Sequence, residues 1–181
     1  MGDEHIAEHG THVNPFSRDD VLSILRARAW LSADPSAEHL VFADRAAALL
    51  GHFALDRTGL EELLQLVFQY DAARTLQTLE AHAVLTRYAA RDVVRELALF
   101  LLDPAPFCSD RFKEMVALLK EKLDIRGRDL FHPIRLVLAG RAGEGQLDRV
   151  ILLVDEAAAL PFAIPVKSIR GRILEFCSLL D

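Results

Sequence analysis

Four arginines, a histidine and a run of glycines meet in residues 125–145, IRGRDLFHPIRLVLAGRAGEG. Pro133 suits the first turn of a helix, where its missing N–H costs little. Ile134, Leu136, Val137 and Leu138 are apolar nearly all round, so this helix is expected to be mostly buried with Arg135 in its first turn. A guanidinium is costly in a core unless it is paired, so Arg135 must reach the rim, a carboxylate on a neighbouring helix, or a bound anion. An anion arriving there would meet both the unpaired backbone N–H groups of the helix start and the guanidinium fork. Gly140 suits the left-handed position that ends a helix, and Gly143 and Gly145 let the next loop turn tightly. Arg126, Arg128 and Arg141 flank the same helix, where a solvated surface is the ordinary place for such cations, and His132 precedes its proline.

Other residues with chemical potential carry less. His5, His9 and His12 have a spacing that would align them on one helical face and could hold a metal, but Gly10 and the chain end favour a tail. Cys108 and Cys177 are far from any metal-ligand spacing and read as buried thiols of a reducing cytoplasm. Glu61-Glu62 reads as a first turn favoured by the helix dipole rather than a catalytic pair. No convergent acid–base set, phosphate-cradling loop or cofactor motif stands out, so neither an enzyme nor a cofactor is expected.

These residues need a scaffold, and the composition supplies one. Hydrophobic residues make up 51% of 181, enough for a real core. No apolar run approaches the roughly 20 residues that span a bilayer, so no membrane partner is expected. The formal charge is −6, which counts against a broadly basic nucleic-acid-binding surface. Its distribution is uneven. Residues 1–109 hold 9 arginines, no lysine and 16 carboxylates, a balance of −7, and residues 110–181 hold 12 basic and 11 acidic residues, a balance of +1. Any anion-binding face should lie in the second part, and the acidic first part could meet another protein.

Helical signals dominate the chain, and no strand-like alternation appears. Residues 1–16 read as a flexible tail. Ser17 and Asp20 resemble a capping box, followed by Val21, Leu22, Leu25 and Ala29 at helical spacing. Asp34-Pro35 reads as the start of a second helix and Gly51 as its stop, and Thr58-Gly59-Leu60-Glu61 as a further capping box. Residues 60–102 should form two or three helices with breaks near Asp71 and Tyr88–Arg91. Trp30 reads as core. The two prolines of DPAPFCSD at 103–110 mark an internal boundary, with Ser109 or Asp110 capping the next helix, 110–124, and Gly127 ending it. Helices over 145–159 and from about Ile169 to Leu180 complete an all-α chain of two helical subdomains, 17–108 and 109–181.

The stretch KLDIRGRDLFHPIRLVLAGRAGEG resembles the C-terminal anticodon-binding region of bacterial-type glutamyl-tRNA synthetases. Gly127, Leu130, Phe131, Pro133, Ile134, Arg135, Leu136, Leu138, Gly140 and Gly145 fit that family's pattern. Ala139 stands where the family has Thr, Gln146 replaces a proline, and Val154-Asp155-Glu156 departs from its later motif. The resemblance covers roughly residues 110–153. It implies an all-α bundle like the class I synthetase anticodon-binding domain, with Arg135 meeting a tRNA loop, Arg126, Arg128 and Arg141 beside it as phosphate contacts, and His132 in either role, on a phosphate or stacked on a base. The synthetase's His-x-Gly-His and Lys-Met-Ser-Lys-Ser-like motifs do not occur. The expectation is therefore a cytoplasmic, free-standing tRNA-binding domain without aminoacylation chemistry. The alternative is a protein-interaction module that kept the fold and lost RNA.

Overall fold

The computed structural model describes residues 13–32 and 34–180; His5, His9 and His12 lie outside them. Among the described residues the chain is all-α, with no strand. Ten helices follow in order: α1 (Arg18–Ala27), α2 (Ala37–Leu50), α3 (Arg57–Phe68), α4 (Ala72–Leu76), α5 (Leu79–Leu85), α6 (Ala90–Leu101), α7 (Ser109–Leu123), α8 (Arg128–Ala139), α9 (Gln146–Ala159) and α10 (Ile169–Leu179).

Local chemistry sets most of these boundaries. At α1 the Asp20 carboxylate accepts from both the Ser17 N–H (2.7 Å) and its hydroxyl (3.0 Å), which holds the Asp20 pKa below its ordinary value. α2 starts two residues later than the Asp34-Pro35 signal, because Ser36 supplies the cap to the His39 N–H. α3 is capped by Asp56, whose Oδ1 accepts the Gly59 N–H at 2.8 Å, so the Thr58–Glu61 motif lies inside the helix rather than opening it. Asp71 caps α4 at an expected break and the chain breaks again before α6 as expected, but Thr78 caps α5 at a break the sequence does not mark, so four helices rather than two or three follow one another from Arg57 to Leu101. α7 begins one residue early, with Cys108 at the cap position, and ends at Asp124 in a left-handed conformation. Gly127 does not end α7. It precedes α8 at φ +58°, a conformation that side chains rarely adopt.

Packing centres on α8 and α9. Pro133 through Ala139 are all buried, as are Val150 through Val154. α9 lies against α2 and α3, and α8 against α5 and α6; α10 closes onto α4, α6 and α8. The parts before and after residue 108 therefore share one core rather than forming separate layers. The Pro-rich linker is itself tied down, since Asp155 on α9 accepts the Phe107 N–H (3.3 Å) with one oxygen and the Ile169 N–H (2.8 Å) with the other. Trp30, Phe42, Phe68 and Phe162 form an aromatic cluster that pins the α9–α10 connection, with Trp30 stacked on Phe68 at 4.7 Å. The end of the expected tail also belongs to the domain: Asn14 donates to the Ala47 carbonyl at 2.7 Å and Phe16 packs on the core.

Two expectations about small residues fail for clear reasons. Ala29 continues the helical spacing of α1, but it is exposed at φ +56° because the chain turns there to bury Trp30. Cys108 is exposed and Cys177 half-buried, so the pair does not behave as two core thiols.

Candidate nucleic-acid interface

α8 begins five residues before Pro133, which moves Arg135 from the first turn into the helix interior. The change of register decides its chemistry. Arg135 forms a two-pronged pair with Asp148 in the first turn of α9, Nε to Oδ1 at 2.8 Å and Nη2 to Oδ2 at 2.9 Å. Its Nη1 donates to the Gly143 carbonyl at 3.0 Å, and its plane lies 4.9 Å from the Phe131 ring centroid. The side chain is 10% exposed. Arg135 is thus a brace joining α8, the glycine loop and α9. The expectation that its guanidinium stands open to an anion is corrected: the carboxylate it needed came from its own chain.

A second arginine, Arg172, is fully buried on α10 and was not singled out by the sequence. It donates to four carbonyls: Leu66 and Val67 at the end of α3, Leu138 at the end of α8, and Lys167. The Leu66, Val67 and Leu138 carbonyls are terminal helix carbonyls lacking intrahelical donors, so one cation closes two helix ends. Burial lowers its pKa to about 10, which leaves it charged at neutral pH. The ring of Tyr70 lies 4.7 Å from the guanidinium, and the Tyr70 hydroxyl donates to the Val137 carbonyl at 2.6 Å. A lone Ile-Arg-Gly-Arg sequence gives no sign of this role, because three of the four carbonyls come from residues 34 to 106 positions away.

The remaining sequence-selected residues separate along α8, which at 1.5 Å per residue is about 18 Å long. Arg128 and His132 lie on its first two turns. His132 is joined there by Arg87 from the α5–α6 turn, whose Nη1 donates to His132 Nδ1 at 2.9 Å. Desolvation lowers the His132 pKa, and the charges of Arg87, Arg135 and Arg128 lower it further, against a smaller opposite effect of Glu144. The imidazole is therefore neutral at physiological pH, with Nδ1 accepting and Nε2 carrying the proton. Neither Arg87 nor Arg128 has a carboxylate partner among the described residues. Next to Arg87, Tyr88 is 89% exposed, an aromatic face in open solvent. Arg126 is exposed two residues before α8 and shares a depression with Lys120, Glu121 and Asp124, where the charges are mixed. Arg141 is exposed at the opposite end of the helix and belongs to a different cavity.

No protein-family model and no curated protein matches the chain. The reading of this site therefore rests on its geometry. The structure brings together His132, Arg128 and the unforeseen Arg87, leaves Arg126 beside them on mixed ground, and sets Arg141 apart. Arg87 and Tyr88 lie in a segment that the sequence marks as a break between helices. An exposed tyrosine beside an arginine is the signal that could have found them. Among the described residues no group of histidines, cysteines and carboxylates is placed to hold a metal, and no helix is long and apolar enough to cross a membrane.

Proposed function

We propose that this chain is a non-catalytic helical domain that binds an exposed RNA loop, tRNA in the first instance, at the mouth of α8. Support comes from Arg87, which donates to His132, and from Arg128, whose charge also acts on that ring; neither has a carboxylate partner among the described residues, and Tyr88, next to Arg87 in the chain, has its side chain open to solvent. Unstacked bases are held by aromatic faces and guanidinium planes, and their phosphates by arginine forks. The resemblance to the glutamyl-tRNA synthetase anticodon-binding region points to the same helix and to Arg135, which on this reading shapes the site rather than touching RNA. The overall acidity makes the interaction local and strongly dependent on salt.

The test is a binding titration with glutamate tRNA and an unrelated tRNA at low and high salt, repeated with Arg87→Gln, Arg128→Gln and Tyr88→Ala. The expected result is binding at low salt that weakens roughly tenfold with each substitution. No binding at low salt would overturn the reading. A protein-interaction module on the same fold is the second reading, favoured by the half-exposed Leu99 on α6 and Leu102 just after it, and by the acidity of residues 1–109. Under that reading tRNA fails to bind, while Leu99→Asp abolishes capture of a protein partner.

A further inference from the structure

The far end of α8 opens on a separate cavity of about 690 Å³ between α3, α4 and the loop after α8. Its size falls within the range of small-molecule sites and is far larger than one phosphate ion needs. Arg74 on α4 and Arg141 just after Gly140 both line it, and neither has a carboxylate partner among the described residues. Lys167 lines it as well, held by Glu175 and by the Tyr70 carbonyl at 3.1 Å. Beneath the Tyr70 wall lies the buried charge of Arg172, whose direct partners are backbone carbonyls rather than a carboxylate. The acids at the rim are Glu62 and Asp71, and Asp71 already accepts the Arg74 backbone N–H at 3.0 Å. The α3 wall presents two amides, Gln65 donating to Gln69 at 2.8 Å, which leaves the Gln69 N–H groups for a ligand. Gly140, at φ +81°, faces Thr75 and Tyr70 across the wall.

We infer that this cavity binds a small phosphomonoester, its phosphate between Arg74 and Arg141 and its organic body along the Gln65–Gln69 wall. Two guanidinium forks on separate elements of one concave surface suit a phosphate with several free oxygens. The amides supply donors and acceptors for a polar body such as a nucleobase edge. The inference stands apart from the RNA reading, since the mouth of α8 lies at the other end of the helix.

Adenosine monophosphate, adenosine and inorganic phosphate are the probes, followed by calorimetry and by amide chemical shifts around residues 65–78 and 139–141. Adenosine monophosphate should bind saturably, inorganic phosphate more weakly and adenosine not at all. Arg74→Gln and Arg141→Gln should each weaken the nucleotide by roughly tenfold. Both side chains are exposed, so circular dichroism should stay unchanged. Arg128→Gln should leave nucleotide binding intact. A short oligoribonucleotide with internal phosphates only should fail to displace the nucleotide. Absence of saturable nucleotide binding, or binding indifferent to both cavity substitutions, would overturn the inference, as would displacement by the oligoribonucleotide.

Discussion

The two guanidiniums inside the core and the two at the mouth of α8 are chemically identical and do opposite things. Arg135 and Arg172 have every nitrogen engaged by their own chain, one by a carboxylate and a carbonyl, the other by four carbonyls. Arg87 meets a neutral imidazole, and Arg128 is exposed to solvent. The difference lies in desolvation. A buried cation persists only where the fold supplies acceptors that water no longer can, whereas a rim cation keeps its hydration and remains available to a partner.

Removing Arg172 should separate the two classes most widely. Arg172→Met leaves three carbonyls at two helix ends, and that of Lys167, without their donor, and the expected loss is about 3–5 kcal/mol of stability in denaturant unfolding. A loss under about 1 kcal/mol would mean that water or local rearrangement satisfies those carbonyls. Arg135→Ala should come next, at roughly 3 kcal/mol, with Asp148→Asn lowering stability in the same direction, because either change strands a largely buried charge. The folded fraction of Arg135→Ala should still bind tRNA; complete loss of binding in well-folded protein would return Arg135 to the role of reader.

The rim should behave in the reverse way. Arg87→Gln and Arg128→Gln should change stability by no more than about 0.5 kcal/mol. Each should lower the slope of log affinity against log salt by about 0.7 if it meets one phosphate of a single strand. A large stability loss with an unchanged salt slope would place these arginines with the braces.

The smallest effect concerns pH. The His132 pKa is depressed in the folded state, so the unfolded chain binds the proton more readily. Stability from this group should fall as pH drops from the ordinary value near 6.5 through the depressed folded value, and should be unaffected above that window. Histidine resonances followed by NMR should show His132 titrating below the ordinary range and moving upward in Arg87→Gln. An upward shift in the wild type on adding RNA would mark an anion arriving beside the ring.

The all-helical character, the capping at Ser17, the breaks near 71 and 88, and the burial of Trp30 and of the Ile134–Leu138 run are all legible in the sequence. They depend on residues within a turn or two of one another. The helix periodicity also showed that Arg135 could not stay unpaired. What periodicity could not supply was the register of α8, which starts at Arg128 behind a positive-φ glycine and so places Pro133 and Arg135 in the interior. The resemblance directed attention to α8, and there to an arginine that the fold had already used.

By itself, then, the sequence determined that this chain is helical, where many of its helices break, and that cations near residues 126–141 need partners. Tertiary structure alone decided which cations found them. Asp148 lies 13 positions from Arg135, Arg87 lies 45 from His132, and the carbonyls around Arg172 come from as far as 106 residues away. Charge pairing at such separations depends on how helices stack, a property of the packed core rather than of any local pattern.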